Sequence, residues 1–446
     1  MDRRVNPSFA YRTAATTRPA ILLCSLGVAL ACGSPPNGRT TAVEAGAAER
    51  GSVDPRQVDV RGVVAFERHE GALEASLTYT LVPGRTEIGF LLNRGLSYEV
   101  SGPGVVGVEQ SVSDMNADWN RLAVRFDSST LAASTDVRFE LRGAPVLPES
   151  KINQISSDWI ELGLDAMWHP LVETIDRQYV ADLNLVVPRE WHVVSSGESE
   201  THPDGIRLRN TIPQVDIAFT AAPELQRIEE GNYALFHRNA ASATTEHLLR
   251  RANDCRTEFD RRFGEQDPLP RGRFVMAERS ESGYARKNYV VLTDTSKFSD
   301  AGLTEFLCHE LAHYWSSRGA PFTVDNWLNE GFATLVGVQA VRQVVNREAY
   351  DDMVAELESR AQGLGSIWTP DDPSRRSHAV QYKKAPIALL RLEEHIGGEA
   401  FERFVRAYMA GVASTPELLE TLEQLTDAGT REWFEAVLSE DDRADS

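Results

Sequence analysis

Cysteine is scarce in this chain, four in 446 residues, and only Cys255 and Cys308 lie beyond position 32. Two thiols cannot form a disulfide framework, so each is expected to be a free thiol. Cys308 directly precedes a histidine, but neighbours on a helix point about 100° apart, and it is read as a small buried residue rather than a metal ligand. Long apolar runs are missing after residue 31, so no helix of the mature body is expected to cross a membrane. Positive charge is short as well: 46 Lys and Arg face 66 Asp and Glu, for a formal net charge of −20. That balance argues against nucleic acid as a partner. Internal repeats are absent too. What remains is a globular composition, 42% hydrophobic, long enough for two or three domains with sizeable cores.

The single long apolar run, residues 20–31, follows a start that carries Arg3, Arg4, Arg12 and Arg18, and it ends on small residues. Basic, then apolar, then small is the order of a secretory signal peptide, assigned here to residues 1–31. Ala29-Leu30-Ala31-Cys32 resembles a bacterial lipobox, which implies a lipid on Cys32; plain secretion is the other reading. The chain is therefore expected in the bacterial cell envelope as a lipoprotein, or else secreted or periplasmic. Membrane contact would come only through that lipid. Residues 32–52, rich in Gly, Ser, Pro, Ala and Thr, read as a flexible tether.

From 53 to 228 the hydrophobic period is two. Residues 73–81, Leu-Glu-Ala-Ser-Leu-Thr-Tyr-Thr-Leu, alternate apolar with polar as a half-buried strand does. Similar runs recur at 122–126, 137–141, 180–187, 206–208 and 215–219, separated by turn residues such as Pro83-Gly84 and Pro203-Asp204-Gly205. This describes an N-terminal antiparallel β-sandwich. From 229 to 446 the pattern becomes helical. Leu248, Leu249, Ala252, Cys255, Phe259 and Phe263 recur at spacings of three and four before Gly264. Two strands, 273–277 and 289–293, precede further helices, so the second half reads as an α+β, mainly helical domain.

Residues 309–313, His-Glu-Leu-Ala-His, place His309 and His313 one helical turn apart on one face, with Glu310 beside them. A helix produces such a pattern by accident often enough that it decides little alone. After sixteen intervening residues, however, a second helical stretch carries Glu330 within Trp327-Leu-Asn-Glu-Gly-Phe-Ala333. Two histidines and a carboxylate are the three protein ligands of a catalytic zinc ion, one position staying open for water. One Zn2+ per chain is therefore expected on His309, His313 and Glu330.

With the Trp-Leu-Asn-Glu-Gly-Phe-Ala element included, the chain resembles the aminopeptidase N family of gluzincin metallopeptidases from about residue 53 onward. The resemblance implies a saddle-like β-domain before a thermolysin-like, mainly helical zinc catalytic domain, and peptides as substrates. It implies that Glu310 is the general base. Tyr382, in Gln-Tyr-Lys-Lys-Ala-Pro, matches the family's Tyr-x-Lys-Gly-Ala, whose tyrosine donates a hydrogen bond to the oxyanion. Trp168-His-Pro170 resembles the family's Trp-x-Pro, with His169 expected to pack a loop. Asn329 and Thr334 flank Glu330 and are expected either to orient it or simply to pack.

The departures matter as much. The family's Gly-x-Met-Glu-Asn strand binds substrate, its glutamate holding the free α-amine. Here the segment reads Gly283-Tyr284-Ala285-Arg286-Lys287-Asn288, so Gly283, Tyr284 and Ala285 are the expected substrate-binding residues. Lys287 falls at the glutamate's place, where a cation repels an ammonium group. Glu278 and Glu281 are the nearest acids that could substitute. The spacing of sixteen also falls short of the family's usual eighteen, with the deletion expected in the loop 316–325. An aminopeptidase is thus the leading reading. The alternatives are an endopeptidase, oligopeptidase or other hydrolase without free-amine specificity, or a non-catalytic, zinc-containing peptide-binding lipoprotein.

Overall fold

The computed structural model describes residues 56–147, 152–265, 267–279 and 283–445. The signal, the tether, Cys32 and Glu281 lie outside them. Among the described residues no helix is long and apolar enough to cross a membrane.

The period-two half is built of sheets. A seven-stranded sheet runs in the order Glu198–His202, Gly205–Gln214, Gln178–Val186, Gln57–Glu67, Ala72–Leu81, Thr135–Gly143, Leu96–Ser101. Its pairs are antiparallel except Gln57–Glu67 against Gln178–Val186, which is parallel. Two four-stranded sheets complete the domain. Alternation along Ala72–Leu81 sends Leu73, Ala75, Leu77, Tyr79 and Leu81 inward, where they join one core with Phe90, Phe139 and Leu183. The expected strand at 215–219 is displaced to Phe219–Ala222. The backbone of Ile217 instead serves the loop at Trp168: its N–H donates to His169 Nε2 (3.1 Å), and its carbonyl accepts from Trp168 Nε1 (3.0 Å). His169 is accordingly a packing residue. Its Nδ1 meets the Tyr79 hydroxyl at 2.9 Å, and burial pushes the imidazole down to about 3.

The strand Gln226–Glu230 straddles position 228 and pairs forward, so the second domain begins just before it. Its five-stranded sheet runs Gln226–Glu230, Tyr233–His237, Gly272–Met276, Tyr289–Leu292, Tyr284–Arg286, parallel in the centre and antiparallel at both edges. Among the described residues Tyr284–Arg286 is an outermost strand, hydrogen-bonded only to Tyr289–Leu292. Both faces of the sheet are covered. Leu235, Phe274, Val290 and Leu292 meet the helices; Val275, Tyr289 and Val291 meet Trp159, Val194 and Ala222 of the first domain. Two buried ion pairs cross the same junction, Arg279 to Glu161 (2.7 Å) and Arg286 to Asp216 (2.6 Å).

Among the described residues eight α-helices follow the apolar spacing: α1 Ser242–Phe263, α2 Asp300–Ala312, α3 Asn326–Val344, α4 Arg347–Ala361, α5 Ala385–Ile396, α6 Gly398–Gly411, α7 Thr415–Leu425 and α8 Ala428–Ser439. Helix α2 is capped by the Ser299 hydroxyl on the Gly302 N–H (3.1 Å). A five-residue π turn, Val380–Lys384, leads directly into α5. There the Ala385 N–H bonds five residues back to Val380 O. Pro386 does not open a separate helix. It sits one residue past the wide turn, where the ladder is already interrupted and its missing N–H costs least.

One expectation is overturned. Cys255 of α1 and Cys308 of α2 are not free thiols but a disulfide, with Cα atoms 5.3 Å apart and both residues fully buried. The helical spacing that buries each cysteine also faces the two helices' cysteines toward one another.

Candidate metal centre

His309 and Glu310 lie in the last turn of α2, His313 is its C-cap, and Glu330 lies in the first turns of α3. The two helices pack closely, and the sequence provides for it. At Gly337 a methyl group would stand 2.9 Å from the Glu305 carbonyl and 3.2 Å from the His309 nitrogen. At Gly331, beside Glu330, it would stand 2.9 Å from the Ala385 Cβ, next to the π turn. These glycines let three chain segments converge.

The three expected ligands do come together. His309 Nε2 and His313 Nε2 are 3.1 Å apart, and Glu330 Oε2 lies 3.5 Å and 3.4 Å from them. Ligands about 2.0–2.1 Å from a tetrahedral zinc would be about 3.3 Å apart, so the donor set fits that ion. The Glu330 Oε2 and Glu310 Oε2 atoms are buried with no hydrogen-bond partner among the described residues. A bound cation would compensate such orphaned carboxylate oxygens. The charges point the same way. Burial works against the charge on His313, yet Glu330 and Glu310 hold the imidazole up at about 9. Burial likewise works against Glu330, but the histidines hold its carboxyl well below the usual range.

Each imidazole is aimed by its other nitrogen. His313 Nδ1 lies 2.9 Å from the Ser316 carbonyl, which only accepts, so Nδ1 carries a proton and, once the imidazole gives up its second proton, Nε2 is the nitrogen left to bind a metal. Thr334 Oγ1 lies 3.2 Å from His309 Nδ1. Thr334 therefore orients His309 rather than its neighbour Glu330. Asn329 does not orient Glu330 either. Its amide donates to Gly319 O (2.8 Å) and accepts from Gly319 N (2.9 Å), fastening the loop 316–325 that was expected to absorb the short spacing. Ser316 Oγ ties the start of that loop to Asn329 O (2.9 Å) and to the Tyr408 hydroxyl (2.8 Å). Sequence reasoning did not find Ser316 or Tyr408.

Tyr382 stands over the centre from the π turn, its ring stacked on His309 with centroids 5.5 Å apart and planes 19° apart. Burial and the nearby Glu330 raise its phenol well above the ordinary value, so it stays protonated and can donate. Burial also pushes the Glu310 carboxyl up, with the two histidines pulling against it.

The expected substrate residues Gly283, Tyr284 and Ala285 form the outermost strand and its approach, beside α2. A side chain at Gly283 would meet Phe306 of that helix at 2.8 Å. The Tyr284 ring turns to the opposite face, against Tyr289 (centroids 6.1 Å apart), so this segment offers a ligand mainly its backbone. Lys287 reaches the end of α2. Its Nζ donates to the Tyr314 carbonyl (3.0 Å), at the electronegative end of α2. Glu278 is held by Asn239 Nδ2 (2.9 Å).

Residues 283–436 match the Peptidase family M1 domain. A probable M1 family aminopeptidase 2 of Encephalitozoon cuniculi is 23% identical over 177 residues, covering 35% of this chain and 20% of that protein. A leucyl aminopeptidase of Saccharolobus solfataricus is 28% identical over 138 residues, covering 28% of this chain and 18% of that protein. The match thus spans about a fifth of these relatives' length. In fold, the chain is similar to an M1 zinc metallopeptidase from Deinococcus radiodurans (TM-score 0.63, 17% identity, 87% of this chain and 94% of that one). It is also similar to yeast LTA4 hydrolase (TM-score 0.65, 15% identity, 87% of this chain and 69% of that one).

Proposed function

The chain carries a peptidase family M1 domain, that of the aminopeptidase N-like zinc metallopeptidases, and on that premise we propose that it hydrolyses peptide bonds, releasing residues from free N-termini. The observation that carries this reading is the convergence of His309, His313 and Glu330 within 4.8 Å beside the unpartnered, buried carboxylate oxygen of Glu310. His309, His313 and Glu330 would hold the zinc ion. When bound, zinc lowers the pKa of a water and polarises the scissile carbonyl.

Glu310 takes the proton from the attacking water and returns it to the departing amine. Its burial favours this cycle, because a carboxylate deprived of water binds a proton more readily than an exposed one. Tyr382 donates its phenolic hydrogen to the oxygen on which negative charge develops. The outermost strand around Gly283, Tyr284 and Ala285 supplies backbone groups for an extended peptide. A mutant of the Deinococcus enzyme binds a Tyr-Ser-Ala substrate, which fits a short extended ligand of this kind.

A second reading has its own observation. Residues 283–288 contain no acid, Arg286 pairs with Asp216, and Lys287 caps α2, so this strand presents no carboxylate to a substrate amine. An endopeptidase or oligopeptidase would need none. The buried disulfide supports folding in an oxidising compartment, in line with export of the chain, whether lipidated on Cys32 or free.

The test is hydrolysis of a peptide and its N-acetylated twin by residues 53–446 loaded with zinc, with Glu310→Gln as control. Cleavage of the free peptide alone supports the aminopeptidase; equal cleavage of both supports the second reading. Activity retained by Glu310→Gln would sink the assignment of the base.

A further inference from the structure

Tyr382 belongs to two ring stacks. His309 is one partner. The other is His378, whose ring lies 4.0 Å from the Tyr382 centroid with the planes only 10° apart. His378 sits four residues before Tyr382, just ahead of the π turn Val380–Lys384, and is exposed. This contact is the tighter and flatter of the two. The ring face covered by Tyr382 loses water, and this desolvation, then Lys383, holds the imidazole below the ordinary value, which favours the neutral ring that stacks as an aromatic.

The geometry gives the stack a task. A phenol on a π turn hangs from backbone that lacks the regular hydrogen-bond ladder, so the turn alone fixes the ring less firmly than an α-helix would. The centre below it contains two acceptors, Glu310 and Glu330, and Glu330 already takes a hydrogen bond from the hydroxyl, so how the ring is held decides what else that hydroxyl can reach. A ring pressed against His378 cannot swing about its χ1 bond without giving up that face.

We propose that His378 is a positioning residue, clamping the Tyr382 ring so that its hydroxyl points where the oxyanion forms. The proposal rests on the reading of Tyr382 as that donor. His378 is not one of the three metal-holding residues, and its ring packs on Tyr382. Its aromatic face is what matters, not its nitrogens, and phenylalanine at this position serves equally.

The experiment compares His378→Ala and His378→Phe in the zinc-loaded enzyme. His378→Ala lowers kcat about tenfold, in line with the sensitivity of catalysis to small misplacements, while KM and zinc content stay unchanged. His378→Phe restores kcat to within about twofold. In a Tyr382→Phe background His378→Ala has no further effect. A second readout needs neither substrate nor zinc: with 3-fluorotyrosine at position 382, the fluorine resonance shifts in His378→Ala and returns toward its original place in His378→Phe. Unchanged kcat in His378→Ala, a loss confined to KM, or a phenylalanine variant as poor as alanine would each overturn the proposal. If the wild type cleaved no peptide, the functional reading would fall, and the fluorine resonance would still decide the stack.

Discussion

The α-carbon of Gly337 faces the carbonyl oxygen of Glu305 so closely that a methyl group there would stand 2.9 Å from it. Both groups are helix backbone, and neither moves without moving its helix. Gly337→Ala should therefore push α3 away from α2 and spread Glu330 from the two histidines. The expected cost is about 1–3 kcal/mol of stability together with weaker zinc retention. Thermal unfolding and metal content after dialysis measure both. A variant that loses stability but holds zinc as tightly as the wild type would show that the helices part without carrying the ligand.

Tyr382→Phe removes a donor and keeps the ring. The ring still stacks on His309 and His378, so zinc binding and stability should be nearly unaffected, while kcat falls about 10²–10³-fold. Steady-state kinetics decide the matter. A change confined to KM would place the hydroxyl on the substrate's ground state instead.

The Cys255–Cys308 bond joins α1 to the helix that bears His309, one residue from the ligand. Replacing both cysteines by alanine should cost about 2–5 kcal/mol. Both sulfurs lie in residues with no exposed surface, so mild reductant should leave the native protein oxidised and act only on unfolding. Thiol titration before and after denaturation checks this. Rapid reduction of the native protein would contradict the burial.

Lys287 carries a buried ammonium, pushed down to about 8 by burial first and by Arg318 second, against Asp267, which pulls it up. The unfolded chain keeps that proton up to its ordinary value of 10.5. Between about pH 8 and 10.5 the unfolded state thus binds more protons, and the contribution of this residue to stability rises with pH. Below that window the cost of the buried charge is fully present; above it the cost is gone. Across the window the wild type should gain on the order of 1–3 kcal/mol of stability relative to Lys287→Met. Chemical denaturation at several pH values provides the curve. A flat difference would mean that water reaches the ammonium.

Much of this architecture was legible because it rests on periodicity and spacing. The alternation in residues 73–81 fixed a strand and its buried face. The interval from His309 to His313, with Glu330 beyond, named three residues that the helices then bring within 4.8 Å. What stayed hidden depends on partners remote in sequence. Cys255 and Cys308 each read as buried small residues, and only the packing of α1 on α2 turns two burials into one bond. Thr334 was visible as a neighbour of Glu330, but its hydroxyl serves His309 on the other helix. Lys287 aligned with an amine-binding position, yet the turn it occupies, at φ 57°, carries its side chain to the end of α2. His378 had a detectable signal, an aromatic ring four residues before Tyr382. Without the π turn there was no reason to weigh it.

Among the described residues the outermost strand Tyr284–Arg286 has one edge bonded to its neighbour and no strand beyond. A ligand that docks there must bring a backbone whose own hydrogen-bonding groups are unused. A helix fails that requirement whatever its side chains, and so does a strand already paired on both edges. On the proposed function, the enzyme would thus sort its surroundings by conformation before composition, taking frayed ends and loose fragments while intact proteins in the same compartment pass untouched.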